Sequence, residues 1–173
     1  MRRLFATAIA GSAVILSACS ATSGSPVHGV DSLTATLTNG VCAVQGIASD
    51  EPNGSLVTVS ADPTSAVAVW MPGLNNEQCQ LERTPIAQAA ARRLAADIRH
   101  AAAFPRGPTN CPSDDGTGVL LLFSHSGSSE EAVLGLTGCP RVAAPSRSAR
   151  QISPALRNDL APEAPARWAS YLG

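Results

Sequence analysis

The sequence predicts an α+β fold: a small antiparallel β-sheet with one packed helix, stapled by two disulfides. Three observations lead to this class. Two apolar runs, residues 119–123 and 132–136, flank a polar turn in the pattern of a β-hairpin. Residues 84–102 carry apolar side chains at the i, i+4 spacing of a helix that buries one face. Four cysteines follow an N-terminal segment that is typical of export.

The stretch from Cys111 to Cys139 has the clearest pattern. The turn between its two strands is predicted at residues 124–129, and each cysteine lies just outside a strand, where a disulfide would close the open end of the hairpin. Asp114-Asp115-Gly116 predicts a turn that leads into the first strand, because Asp and Gly favour turn geometry.

Further strands are predicted earlier in the chain. Residues 30–38 are predicted as a half-buried strand, because Leu33, Ala35 and Leu37 alternate with threonines. Asn39-Gly40 is a strong hairpin turn signal before a return strand at 41–44. Residues 56–60 and 66–70 predict two more strands.

One helix is predicted with Thr84 as its N-cap and Pro85 in its first turn. A proline-rich stretch at 104–108 ends it. Its expected buried stripe consists of Ile86, Ala90, Leu94, Ile98 and Ala102.

The predicted organisation has four parts. Residues 1–18 are a lipoprotein signal peptide, 19–29 a flexible tether, 30–142 the disulfide-stapled α+β domain, and 143–173 a Pro/Ala/Arg-rich C-terminal tail. Within the tail, which is expected to be partly disordered, a short helix is predicted from Ser153-Pro154 to Leu160. Residues 167–172 are expected to form a helical turn or to lie in a groove.

The N-terminus resembles that of bacterial lipoproteins. Arg2 and Arg3 precede an apolar stretch that ends in Leu16-Ser17-Ala18-Cys19, which is similar to a lipobox. The resemblance implies cleavage before Cys19, attachment of a diacylglycerol to its sulfur, and anchoring at the extracytoplasmic face of the cell membrane. The alternative is an ordinary secretory signal that is cut elsewhere.

The remaining cysteines are Cys42, Cys79, Cys111 and Cys139, and an even number in an exported chain predicts two disulfides. Four cysteines allow three connectivities, between which the sequence alone does not choose. Sequential pairing is favoured because the second pair then brackets the hairpin. There is no Cys-x-x-Cys motif and no histidine at ligand spacing, so neither a metal nor a cofactor is expected.

No constellation of catalytic residues stands out, and no enzyme is expected. His28 lies in the tether, His100 near a helix end, and His125 between two serines in the predicted turn, where solvent would surround it. Trp70 and Trp168 are expected to fill the core or a groove. The formal net charge of −1 gives no basis for a nucleic-acid surface.

The pattern Cys111-Pro-x-Asp-Asp-Gly, followed by Leu121-Leu122-Phe123 and by Leu136-Thr137-Gly138-Cys139, is similar to a motif of uncharacterised actinobacterial secreted and lipid-anchored proteins. That resemblance implies an exported disulfide domain and brings no activity with it.

A looser similarity concerns the order of strands, two cysteines, a helix, and then Cys-Pro and a closing cysteine, which looks like the subtilisin-inhibitor family. It implies that Ser113 would precede the scissile bond and Asp114 would follow it.

The sequence therefore predicts a lipid-anchored, non-enzymatic binding domain at the cell surface. Its partner would be an envelope component or a protein, and the candidate contact loop consists of Pro112, Ser113, Asp114 and Asp115. The alternative function is a subtilisin-inhibitor-like protease inhibitor.

Overall fold

Eight strands form two antiparallel sheets in a computed structural model that describes residues 33–46, 55–106, 110–111, 113–144 and 147–173. The predicted signal peptide, the tether and Cys19 lie outside the described residues. The strands are β1 (Thr34–Thr38), β2 (Val41–Gln45), β3 (Ser65–Met71), β4 (Glu82–Ile86), β5 (Gly118–His125), β6 (Ser128–Gly135), β7 (Arg141–Ala143) and β8 (Arg150–Gln151).

The larger sheet has the order β4-β3-β5-β6-β7-β8, and β1 pairs with β2 in a separate hairpin. All neighbours in both sheets are antiparallel. Two α-helices, α1 (Gln88–His100) and α2 (Pro154–Leu160), and two 3₁₀ turns, Ala161–Glu163 and Ala166–Tyr171, accompany the sheets. The predicted α+β class with two disulfides is confirmed.

The β5–β6 hairpin is confirmed, but its turn is shorter than the six residues predicted. Only Ser126 and Gly127 turn the chain, with φ of 40° and 82°. Positive φ at both positions gives a turn whose twist matches that of the flanking strands. The strands therefore continue to His125 on one side and Ser128 on the other.

The predicted start of the helix was wrong. Thr84 and Pro85 belong to β4, and α1 begins at Gln88 after Ala87, which provides no side-chain cap. Thr84 Oγ1 instead accepts a hydrogen bond of 3.2 Å from Trp70 Nε1. Pro85 is tolerated because β4 is an edge strand of the larger sheet.

The buried face of α1 is broader than the predicted stripe. It comprises Ala90, Ala91, Leu94, Ala95 and Ile98. Ala102 is exposed, and Ile86 is buried as part of β4. Small side chains on this face let the helix lie close to the sheet.

Residues 56–60 do not form the predicted strand. Leu56 makes a single isolated bridge to Ser148, although Val57 and Val59 are buried as an alternating pattern requires. The Arg150 guanidinium donates to the carbonyls of Val57 and Ala101, each at 2.6 Å. The Arg150 side chain thus fixes the 56–60 segment in place of the regular hydrogen bonds that a neighbouring strand would supply.

The larger sheet is buried on both faces at its central strands β3 and β5. On the first face, Trp70, Leu121 and Phe123 pack against α1 and the C-terminal helices. On the second face, Leu33 joins a smaller apolar cluster, with half-buried Val44 packed against it. The sheet residues of that second cluster are Val69, Met71, Leu120 and Leu122.

The segment predicted as a partly disordered tail is part of the domain in its described portions, 143–144 and 147–173. Ser153 caps α2 by accepting from Leu156 N at 3.1 Å, and Leu156 and Leu160 are fully buried. Trp168 packs on Trp70 with ring centroids 5.7 Å apart. The composition of the C-terminal segment suggested disorder. A few large apolar side chains among Pro, Ala and Arg are nevertheless enough to pack the segment onto the core.

No helix in the described part of the chain is long and apolar enough to cross a membrane.

Replacing Trp168 by Ala tests whether the C-terminal segment belongs to the core. Trp168 is 2% exposed and its indole donates to Glu82 Oε1 at 3.2 Å. We expect Trp168→Ala to lower the free energy of unfolding by about 3–5 kcal/mol in urea titrations. Ser170→Ala, an exposed change in the same turn, should leave stability unchanged. Equal stability of the two variants would show that the segment is not part of the core.

The α1–α2 contact predicts a pH-dependent effect. Burial, followed by the negative charge of Asp159, raises the pKa of Asp97 above its usual 3.8, and His100 and Arg93 offset this only in part. The folded state therefore holds this proton more tightly than the unfolded state. The resulting stabilisation is complete below pH 3.8 and is lost as the pH rises through the folded-state pKa.

Asp97→Asn should therefore raise the midpoint of thermal unfolding at pH 7 and have little effect at pH 3. Asp62→Asn is the control, because Asp62 is exposed and pairs with Arg92 at 2.6 Å. Removal of that attraction should leave stability unchanged or slightly lower. A destabilising effect of Asp97→Asn at pH 7 would contradict the assignment.

Candidate functional site

One end of the larger sheet brings together both disulfides and the loops that carry them. We call it the disulfide end, and it consists of the β1–β2 hairpin and residues 72–80, 110–111, 113–117 and 136–139. Cys42–Cys79 and Cys111–Cys139 have Cα–Cα distances of 5.3 Å and 4.9 Å. The sequential pairing favoured from the sequence is confirmed.

Backbone hydrogen bonds join the segments of this end into one unit. Cys42 N donates to Leu74 O at 2.8 Å, and Leu74 N donates to Asp115 O at 2.6 Å. The ladder of the hairpin continues beyond β5 and β6, because Leu136 N donates to Thr117 O at 2.9 Å. The β1–β2 hairpin is thus connected through Leu74 to the loop that follows Cys111.

Asp115 fixes the conformation of that loop. Its Oδ1 accepts from Thr117 N at 2.9 Å and from Thr137 Oγ1 at 2.7 Å. Burial by itself would raise the pKa of Asp115, but the hydrogen bonds from Thr117 and Thr137 outweigh it and lower the pKa below 3.8. Asp115 is therefore a carboxylate at neutral pH whose Oδ1 is engaged by the protein.

Glycine is required where two loops meet at this end. A Cβ on Gly73 would lie 2.5 Å from the side chains of Asp115 and Thr117. Gly138 has φ of 66°, and a Cβ there would lie 2.4 Å from that of Asp114. Any larger residue at either position would push the loops apart.

Exposed apolar side chains concentrate at the disulfide end. Among the described residues, Leu37, Val41 and Leu74 are 47%, 48% and 48% exposed. One further large apolar residue is exposed, Leu56, and it lies outside this end. These three side chains form the apolar part of the surface at the disulfide end.

The predicted contact loop lies at this same end. Ser113 and Asp114 are exposed, as expected, whereas Asp115 is half-buried and acts within the fold. Pro112 lies outside the described residues.

The geometry at Ser113 differs from what the inhibitor alternative requires. A protease binds its substrate as an extended strand, and a loop that mimics substrate must be extended around the scissile bond. Ser113 has φ of 57°, in the left-handed region. Asp114 Oδ1 accepts from Gly116 N at 3.1 Å, which favours a turn.

The opposite end of the β5–β6 hairpin holds a polar cluster around His125. Its Nε2 is 3.5 Å from Glu130 Oε1, and Ser128 Oγ lies 3.3 Å from the same nitrogen. Ser128 Oγ also donates to the His125 carbonyl at 3.1 Å. Ser128 Oγ also lies 3.4 Å from His125 Nδ1, so it sits beside the ring and makes a local contact of the turn.

The remaining partners in this cluster are structural. Glu130 Oε2 accepts from the backbone N–H of Ser60, and the Arg99 guanidinium donates to Ser60 O at 2.9 Å. Glu130 therefore connects β6 to the segment before β3. The neighbouring Glu131 is half-buried, and burial raises the pKa of its carboxyl.

Within the described ranges, no three His, Cys, Asp or Glu side chains are grouped so that they could hold a metal ion. No protein-family model, curated protein or solved structure matches this chain. The resemblances to actinobacterial exported proteins and to the subtilisin inhibitors thus stay predictions based on the residues alone.

The sequence did not identify Leu37 or Leu74 as surface residues. The alternation of apolar and polar residues placed Leu37 on the buried face of β1. Only the tertiary structure shows that the packing against this face does not extend as far as Leu37. Leu74 lies in a Pro-Gly-Leu-Asn-Asn loop. A single apolar residue among turn-forming residues was the one sequence feature that could have indicated its exposure.

Asp115→Asn tests the hydrogen-bonded loop. Because the folded-state pKa is lowered, the carboxylate contributes stability above pH 3.8 that is lost as the pH falls through the folded-state pKa. We expect the free energy of unfolding of the variant to be about 1–2 kcal/mol lower than that of the wild type at pH 7, and this difference to shrink in strong acid. Asp114→Asn, an exposed neighbour, is the control and should change stability less. A pH-independent loss would contradict the role of the charge.

Proposed function

We propose that this protein is a lipid-anchored, non-enzymatic binding domain of the extracytoplasmic cell surface that contacts its partner through the disulfide end. One observation carries the proposal: three exposed apolar side chains are displayed on segments fixed by two disulfides and a chain of hydrogen bonds. The partner is an envelope component or a protein.

Rigidity supports a binding role for this end. A surface that is already ordered loses little conformational entropy on binding, so more of the contact energy appears as affinity. The two disulfides close loops of 37 and 28 residues, and the loop-entropy relation converts these lengths into a stabilisation. Each closure stabilises the domain by roughly 3.5 to 4 kcal/mol.

Two features of the chain support an extracytoplasmic position at the membrane. Disulfides form and persist outside the reducing cytosol, and both cysteine pairs are bonded. The Leu16-Ser17-Ala18-Cys19 sequence supplies the acceptor thiol for a lipid.

Metabolic labelling with an alkyne fatty acid in cells that make the protein tests the anchor. We expect label on the wild-type chain in the membrane fraction, and an unlabelled Cys19→Ser chain released to the medium with an unchanged melting temperature. An unlabelled wild-type chain, or a Cys19→Ser chain that stays in the membrane, would contradict anchoring at this residue.

Site-specific photo-crosslinking tests the contact surface. A photoreactive amino acid replaces Leu74, and in a matched variant it replaces Asn158, an exposed residue of α2. In intact cells we expect a discrete adduct from position 74 and none from position 158. Leu37→Glu in the same chain should reduce the adduct at least fivefold, because it places a charge in the apolar surface.

The folding of each variant is checked by its melting temperature. Equal adducts from positions 74 and 158, or an adduct that is unaffected by Leu37→Glu, would refute binding through the disulfide end.

A further inference from the structure

The outer edge of β1 offers unpaired backbone groups. Asn39 and Gly40 form a two-residue turn, with φ of 51° and 77°, that closes on the Thr38–Val41 pair. Thr34, Thr36 and Thr38 therefore hydrogen-bond to β2, and the backbone N–H and C=O groups of Ala35 and Leu37 point away from it. On β2, the N–H of Cys42 donates to Leu74 O at 2.8 Å, outside the hairpin, which agrees with this alternation of inward and outward backbone groups.

Among the described residues, no backbone partner occupies the outward side of Ala35 or Leu37. Thr34 and Ala35 line a shallow groove that separates them from Gln80 and Leu81. Within the part of the chain that the structure describes, the edge therefore faces this groove and not a neighbouring strand.

This edge lacks the features that protect the other sheet edges. β4 carries Pro85 and two charged residues, and β8 is only two residues long. Residues 33–46 contain neither a charged side chain nor a proline. Folded proteins normally block an exposed strand edge with one of these features, so an unprotected edge indicates that another strand pairs with it.

We propose that β1 pairs antiparallel with β1 of a second copy of this chain, across a two-fold axis at Thr36. In this register Ala35 lies opposite Leu37 of the second copy, and the same pair occurs again on the other side of the axis. Each pair exchanges two N–H···O bonds, so the outward groups of both strands are satisfied by four hydrogen bonds. The interface is isologous, because each copy uses the same five residues.

The side chains are compatible with this register. Thr36 faces Thr36 of the second copy, and Thr34 faces Thr38, which are favourable cross-strand pairs. Leu37, which is 47% exposed in one copy, comes to lie beside Ala35 of the other. No like charges meet, since the whole hairpin is uncharged.

The contact is small, so association is weak and reversible. Two five-residue strands bury less than the roughly 1,000 Å² that is typical of stable interfaces. Sedimentation equilibrium of the unlipidated chain over about 10 µM to about 1 mM covers the corresponding affinity range. This experiment requires neither the lipid anchor nor a binding partner, so its outcome is independent of the proposed function.

We expect the wild-type chain to show a concentration-dependent monomer–dimer equilibrium. Thr36→Lys puts two like charges opposite each other at the axis and should weaken dimerisation at least tenfold, and Thr36→Glu should do the same. An equimolar mixture of the two variants should dimerise at least as well as the wild type, because opposite charges then meet.

Ala43→Lys is the matched control. Ala43 pairs with Thr36 on the same exposed face of the hairpin but lies one strand further from the axis, so its effect should stay within about twofold. A wild-type chain that remains monomeric at about 1 mM would overturn the proposal. So would equal weakening by Thr36→Lys and Ala43→Lys, no weakening by either, or no recovery in the mixture.

Discussion

The burial of β5 on both of its faces is the constraint from which the rest of this fold follows. Leu120, Leu121 and Leu122 are successive residues, and their side chains are 2%, 0% and 2% exposed. Because successive side chains of a strand point to opposite faces, the sheet needs a covering layer on each side. Helix α1 and the C-terminal segment cover the first face, and Leu33 and Val44 from the β1–β2 hairpin cover part of the second. The Cys42–Cys79 bond attaches that hairpin to the domain.

Local signals were sufficient to predict the β5–β6 hairpin and the Asn39-Gly40 turn, and they favoured the sequential disulfides without excluding the other two connectivities. The start of α1 was not predictable from local signals, because Thr84-Pro85 suits a helix start and an edge strand equally, and the contact with Trp70 decides between them. The order of the C-terminal segment depends on Trp168 meeting Trp70, residues nearly a hundred positions apart. The hydrogen bonds from Arg150 to Val57 and Ala101 are equally non-local and have no sequence signature.

The candidate site was predicted in part. Ser113 and Asp114 are exposed beside the Cys111–Cys139 bond, as their turn composition indicates. The apolar part was missed, because the alternation in β1 shows which face Leu37 occupies but not how far the covering layer extends. The result is a surface that combines exposed leucines with a polar loop on a rigid base. Both carboxylates of that loop accept hydrogen bonds within it, Asp114 from Gly116 and Asp115 from Thr117 and Thr137.

Solvent accessibility of leucine methyl groups shows whether both faces of β5 are covered. A soluble paramagnetic probe is added to methyl-labelled protein, and the relaxation of Leu120 is compared with that of Leu121 on the opposite face. If both faces are covered, both leucines are shielded in the wild type, and Leu120 alone becomes accessible when Cys42 and Cys79 are replaced by serine. Leu120 methyls that are accessible in the wild type, or that stay shielded in the variant, would contradict this covering.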